Sequence, residues 1–440
     1  MPSVDSETGD AGLVRAIGTP RLTANIVNAT VGASIFALPA GIAVQLGAAA
    51  PLAFVVCAAV MTLLVTCIAL AGSRVSLTGG MYAYAEVAFG RYVGFIAGLL
   101  YYMCAILAVA AVVNVFIDNF VALVPFLSGR AGRTALAFTI FAALAITNIR
   151  GVRSGANAVA VITIAKLIPL LVFVAVGVFF IQPAALAWPG MPTGKALGDA
   201  VLLLLFAFVG VETALMPSGE VVNPSRTVPR AIYAALGITT LLYMLIQAVA
   251  QGTLGASLAG ATGAPLADAA ATFLGNTGRL LLLAGAALSS FGFIASDILS
   301  SPRILFALGR DGILPDTFAR VHPQYRTPHI AIAAYAVVGF LFSLTSGFEA
   351  LAVMSNVALL ILYLICIAAA WELMRRNVRA DGEPFTFPGQ QLVIALSLLV
   401  VVWVLAHATA REFIVTGAVC AAGSLLYLIR RPAIRRRPPS

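Results

Sequence analysis

The chain has 440 residues, 61% of them hydrophobic and only 10% charged, with a mean hydropathy of +1.02. A water-soluble protein carries about a quarter charged residues, so this chain has too few to cover a surface facing water, and the soluble classes are excluded. The formal net charge of +9 raises nucleic acid as a partner, but the placement of the charges along the chain argues against it.

Residues 1–20 are polar, acidic and glycine-containing and read as a disordered tail, with no cleavable signal evident. Apolar stretches of about 20 residues are long enough to cross the hydrocarbon of a bilayer as helices. Twelve follow, at 22–46, 51–71, 92–124, 134–148, 157–181, 197–216, 231–254, 280–308, 330–346, 351–371, 392–408 and 413–429. The expectation is an all-α membrane protein of twelve transmembrane helices, with helices 1–10 over 21–380, helices 11 and 12 over 381–430, and a basic tail over 431–440. When the connecting segments are assigned alternately to two faces, one face collects twenty of the 26 basic residues, from Arg15, Arg21 and Arg74 through Arg303 and Arg310 to Arg430, Arg431 and Arg435. That bias predicts a multi-pass protein of the cell (inner) membrane with both termini in the cytoplasm. The arginine-rich C-terminus then reads as an orientation signal and an anchor on anionic lipid rather than a nucleic-acid arm.

Helix 1 contains Gly32-Ala33-Ser34-Ile35-Phe36-Ala37-Leu38-Pro39, and helix 6 contains Gly210-Val211-Glu212-Thr213-Ala214-Leu215-Met216-Pro217. In each, a glycine precedes a proline by seven residues. Glycine weakens a helix and proline removes a backbone donor, so both helices are expected to unwind locally. The shared offset suggests a five-plus-five inverted repeat, with substrate held where the two interrupted helices meet. Unwinding frees amide groups on one half-helix and carbonyls on the other. A zwitterionic amino acid matches that arrangement, its carboxylate on the amides and its ammonium on the carbonyls.

With these helices placed, the chain resembles the amino acid–polyamine–organocation (APC) superfamily. The resemblance is carried by Gly32-Ala33-Ser34-Ile35-Phe36 with Pro39, and by Gly79-Gly80-Met81-Tyr82-Ala83-Tyr84-Ala85-Glu86 in the loop after helix 2. Further on come Phe208-Val209-Gly210-Val211-Glu212 with Glu220, Asn223-Pro224 and Val228-Pro229-Arg230-Ala231, then Arg303 and Arg310-Asp311-Gly312-Ile313-Leu314-Pro315. These stand in family order across residues 20–380. The resemblance implies alternating access for an amino acid or polyamine. It implies that amides around Gly32, Ala33 and Ser34 hold the carboxylate, and that carbonyls near Val31, Phe206 and Ala207 hold the amine. Phe206 and Phe208 become candidates for an aromatic gate beside Gly210, and Cys104, Ala105 and Val109 on helix 3 for the side-chain pocket. Ser34 departs from the family's third glycine, which narrows the backbone freedom there.

Ionisable groups within spans are costly, roughly 2.5–3.5 kcal/mol each on an insertion scale. Lys166, about 18 Å into helix 5, resembles a family lysine whose ammonium stands where sodium-coupled relatives of the fold bind a cation. It implies sodium independence; a structural tie to helix 1 carbonyls and carriage of the coupled proton are compatible readings. Glu212 is either a proton sensor or a hydrogen-bonded helix residue. Asp297 on helix 8 either reads a cationic substrate or pairs within the protein. Asp118 is expected to be solvated, Ser355 and Asn356 to bond helix to helix or touch substrate, and Pro169 and Pro302 to kink their helices.

The five cysteines and three histidines show no metal spacing, disulfide pattern or catalytic constellation. No G-x-x-x-x-G-K-[ST] loop is present for an ATP-driven pump. The expectation is a carrier, not an enzyme, with no cofactor or metal and the lipid bilayer around it; a homo-oligomer is left open. Proton-coupled, sodium-independent amino acid transport leads. An exchanger of amino acids or polyamines for cationic substrates is the alternative, and a sensor or channel on the same fold comes behind it.

Overall fold

A computed structural model describes residues 18–75, 81–151, 156–188, 190–211, 221–222, 224–379 and 384–435. Helix α1 (Thr19–Thr30) opens on Pro20, where the missing amide costs nothing because first-turn amides lack partners within the helix. It stops at Val31, and after a short 3₁₀ turn (Ala33–Phe36) the chain resumes as α2 (Leu38–Leu46), again with a proline, Pro39, in the first turn. Gly47, at φ +52°, turns the chain into α3 (Ala50–Gly72). Helix α4 (Met81–Phe89) occupies much of the segment read from sequence as a loop, so that reading is corrected. Met81, Tyr84, Ala85 and Ala88 lie on the main core, and Gly90, at φ +89°, separates α4 from α5 (Arg91–Leu123).

Then come α6 (Arg130–Arg150) and α7 (Ala156–Gly177), with Pro169 inside the latter. Helix α8 (Gly194–Phe208) begins on Thr193, whose hydroxyl accepts from the Ala196 amide at 3.2 Å. Helix α9 (Pro224–Leu254) follows, then α10 (Pro265–Ser300) and α11 (Pro302–Arg310). Helix 8 therefore starts earlier than its apolar pattern indicates, with a hinge at Gly275 (φ +63°), and it divides at Pro302. The chain ends with α12 (His329–Ser343), α13 (Phe348–Arg375), α14 (Gln390–Leu405) and α15 (Ala410–Arg435).

Among the described residues, seven helical runs are long and apolar enough to cross a membrane, and three shorter apolar helices accompany them. The protein is a multi-pass helical membrane protein. Helices α5 and α13 are the most enclosed of the long runs and α15 the least. Exposed leucines and isoleucines along α14 and α15, such as Leu392, Leu399, Ile414 and Leu425, face outward, as lipid-facing side chains must where the solvent is itself apolar.

Close approach of helices rests on small residues. A Cβ on Gly285 of α10 would lie 2.7 Å from Pro169 Cγ on α7, and one on Gly339 of α12 would lie 2.8 Å from the Phe141 ring on α6. Asp118, expected in solvent, instead pairs with Arg133 and joins α5 to α6. The geometry explains the difference: α6 begins only a few residues after α5 ends, bringing the guanidinium back over the carboxylate.

Candidate functional site

The two interruptions meet each other. At the first, Val31 leaves helical geometry (ψ 87°) and Gly32 is extended (φ −107°, ψ −162°) before the chain tightens into the 3₁₀ turn. At the second, α8 ends at Phe208, Val209 swings to ψ 135°, and Gly210 takes φ +110°. A Cβ on Gly210 would lie 3.0 Å from the Ala29 carbonyl oxygen, so the second break lies directly against the last turn of α1. That backbone angle and that contact both demand glycine. Gly32 differs: its φ is open to any residue, and only the Thr30 oxygen, at 3.8 Å, would be near an added Cβ. Ser34 sits in the 3₁₀ turn and accepts a backbone bond from the Ala37 amide at 3.0 Å. Its side chain is accommodated without a left-handed backbone.

The orphaned carbonyls have identifiable partners. Lys166 Nζ on α7 donates to the Asn28 carbonyl oxygen at 2.6 Å, a charge-assisted bond into the last turn of α1. Tyr243 on α9 was not singled out from the sequence, yet its hydroxyl lies 3.0 Å from the Thr30 oxygen and 3.1 Å from the Ala207 oxygen. A phenol carries one proton, so the two helix ends share it. The Tyr243 ring is fully buried, edge-on to Phe208 at 5.6 Å and to Phe54 at 6.3 Å. Buried tyrosines find a partner for their hydroxyl; that rule marks Tyr243 in the sequence but cannot say which carbonyl it meets. The Asn28 side-chain oxygen is buried with no partner among the described residues, leaving one acceptor at the break unspent.

Val31, Ala33, Ser34, Phe206 and Ala207 are all buried at these two breaks. Phe206 stands edge-on to Phe348 of α13 at 5.6 Å, whereas Phe208 lies within the core against Tyr243. Next to Phe348, the Glu349 carboxylate rests on Gly41 of α2 so closely that a Cβ there would collide with it. On α5, Cys104 faces α13: Ser355 Oγ donates to the Cys104 carbonyl at 2.9 Å and meets its Sγ at 3.3 Å. Ala105 is half-buried on the same helix, and Val109 lies toward Gly339 of α12. Asn356 Nδ2 donates to the Leu202 oxygen at 2.7 Å, tying α13 to α8. Asp297 is set apart from the breaks' own hydrogen bonds: it accepts from Tyr335 of α12, and from Ser301 Oγ at 2.7 Å. Glu212 lies outside the described residues.

Two facing helix interruptions with buried polar backbone, inside a multi-pass helical protein, are the arrangement in which membrane carriers hold a substrate. The amino acid permease family profile matches residues 17–424, and the chain belongs to that family. It is therefore a transporter and not an enzyme. It is 25% identical to the branched-chain amino acid permease BcaP of Bacillus subtilis (strain 168), over 90% of this chain and 88% of that protein. It is 28% identical to the serine/threonine exchanger SteT of the same organism, over 86% of each. It is 26% identical to that organism's methylthioribose transporter, over 98% of this chain and 96% of the relative.

Proposed function

We propose that the protein carries an amino acid across the cell membrane by alternating access, coupled to protons and independent of sodium. In this reading twelve spans form a five-plus-five inverted repeat over 21–380, with two helices and a basic tail beyond it. Both termini lie in the cytoplasm, as the arginine distribution favours.

The observation that carries the proposal is the Lys166 ammonium on the Asn28 carbonyl at 2.6 Å. A fixed cation at the end of a broken helix supplies the positive charge that a bound sodium ion would bring, and unlike sodium it can release a proton. The substrate carboxylate is assigned to the amides at Gly32, Ala33 and Ser34, and its ammonium to carbonyls at Val31, Phe206 and Ala207. Phe206 against Phe348 closes the path on one side, and the walls offered by Cys104, Ala105 and Val109 are small or apolar. Asp297, with Tyr335 and Ser301 bonded to it, is read as a tie between α10 and α12 rather than a receptor for cationic substrates. Glu212 keeps a coupling role in this reading, by its position on helix 6.

The test is uptake of a panel of labelled amino acids into proteoliposomes, with and without a pH gradient and with potassium replacing sodium. Uptake driven by an inward proton gradient and unchanged without sodium is expected, and Lys166→Met should remove the dependence on the gradient. Sodium dependence would overturn the Lys166 assignment.

Exchange is the second reading, favoured by the likeness to a serine/threonine exchanger. In that case uptake requires internal amino acid and ignores the pH gradient.

A further inference from the structure

Helices α6 and α12 leave a groove of about 690 Å³ open between them at one end of the molecule. Its wall on α12 is made by Ile330, Ala333, Ala334, Val337 and Val338. These positions fall at i, i+3, i+4, i+7 and i+8, a single stripe along one helix face, about 12 Å long at 1.5 Å per residue. The two alanines create the hollow, and Val337 is more than half exposed within it. One turn beyond, Phe340 packs edge-on to Phe138 at 5.8 Å and to Phe141 at 6.5 Å, closing the groove toward the last turn of α12.

Two imidazoles, His322 and His329, stand at the other end, edge-on at 5.2 Å. The Nδ1 of His322 accepts from the Gln324 and Tyr325 amides at 3.2 and 3.3 Å. That fixes the neutral ring's proton on Nε2, which is left as a donor. The Nδ1 of His329 is buried without a hydrogen-bond partner among the described residues. Thr327 Oγ1 donates to the Ile149 oxygen at 2.6 Å, pinning this turn on the end of α6. The exposed Arg150 and Arg326 are the chain neighbours of Ile149 and Thr327, which places two arginines beside this turn.

We propose that this groove is a binding site for an anionic glycerophospholipid, with an acyl chain along the alanine stripe and the phosphate at His322 and His329. Apolar length below and hydrogen-bond donors with two guanidiniums above match a lipid's own division into tail and anionic head. Both imidazoles line the mouth, and a phosphate oxygen accepts from a ring N–H there where an acyl chain alone would not. The inference is independent of which substrate the carrier moves.

The test is thermal unfolding of the purified full chain in a neutral detergent, titrated with palmitoyl-oleoyl phosphatidylglycerol, the corresponding phosphatidylcholine, or glycerol 3-phosphate. Phosphatidylglycerol should raise the midpoint saturably, well above the effect of phosphatidylcholine, and glycerol 3-phosphate should not. His329→Leu and Ala334→Leu should each weaken the response about tenfold, the first by removing a charge-assisted bond and the second by filling the groove. Each variant is compared with its own midpoint in phosphatidylcholine, so an overall loss of stability cancels. Equal responses to the two phospholipids overturn the headgroup assignment, and a full response to glycerol 3-phosphate overturns the acyl groove. Variants that titrate like the unaltered chain overturn the site. A groove covered by a second copy is the remaining outcome against it: a dimer that Ala334→Leu dissociates, with no response to phosphatidylglycerol.

Discussion

At Gly210 an added Cβ would sit 3.0 Å from a carbonyl oxygen of α1, on a backbone already at φ +110°. For any other residue that angle alone costs about 1–3 kcal/mol, and the contact adds to it. Gly210→Ala should therefore lower transport at least about tenfold, at 1.4 kcal/mol per factor of ten, while the protein still reaches the membrane; initial uptake rates normalised to membrane protein check it. Gly32→Ala should keep most activity, since its backbone is open to any residue and its surroundings leave room. Gly32→Leu should abolish transport, by filling the space beside the freed carbonyls rather than by bending the chain. The same offset from a proline marks both glycines in the sequence, yet only one is required by stereochemistry. A backbone angle set by a partner helix nearly two hundred residues away leaves no local signature. Lys166 was legible because a charge deep in an apolar run has to be accounted for. Tyr243 was not, because its two acceptors are 213 and 36 residues away.

Among the helices, α7 and α10 approach so closely that Gly285 and Pro169 interlock. Gly285→Val should destabilise the fold by about 1–3 kcal/mol, the usual range for overpacking, seen as a lower thermal midpoint in detergent. The 3₁₀ turn of the first break should also be disturbed, because Phe36 reaches the same glycine, 3.6 Å from an added Cβ. Long helices were the most legible elements: α5 and α13 fall within a few residues of their apolar runs, since hydropathy reports directly on residence in lipid. The amphipathic α4 and the first turns of α10 were not, because each is short or interrupted and shares its composition with loops. Asn356 shows the limit for polar residues in spans. Its amide ties α13 to α8, and sequence alone cannot separate such a tie from a substrate contact.

Across the whole molecule, α15 is the least enclosed of the long helices, yet it ends in a clasp. Arg430 donates to the Gly312 and Leu314 oxygens, both at 3.2 Å, while Tyr427 stacks on Phe95 of α5 at 5.4 Å. Around Phe95 and Ile313 this forms a small cluster separate from the main core. Arg430→Ala should free the segment after α11, giving faster amide hydrogen exchange over 308–316 with little change at the breaks. Amide exchange of the intact protein in detergent measures it. Family membership was legible from motifs spread along the chain. The clasp was not, since a C-terminal arginine near a membrane surface has a sufficient explanation in the lipid alone.

The shared phenol of Tyr243 has a consequence for the return leg of the cycle. A carrier that has released its cargo must cross back vacant, and bare carbonyls in a sealed interior oppose that step. On the proposed reading, a tyrosine that occupies the Thr30 and Ala207 oxygens would stand in for the missing ammonium and let the vacant form reorient. Tyr243→Phe should then slow net uptake into substrate-free vesicles far more than it slows one-for-one swapping between loaded sides. Whether the protein accumulates its substrate or merely trades it would thus turn on a single hydroxyl that never has to touch the cargo.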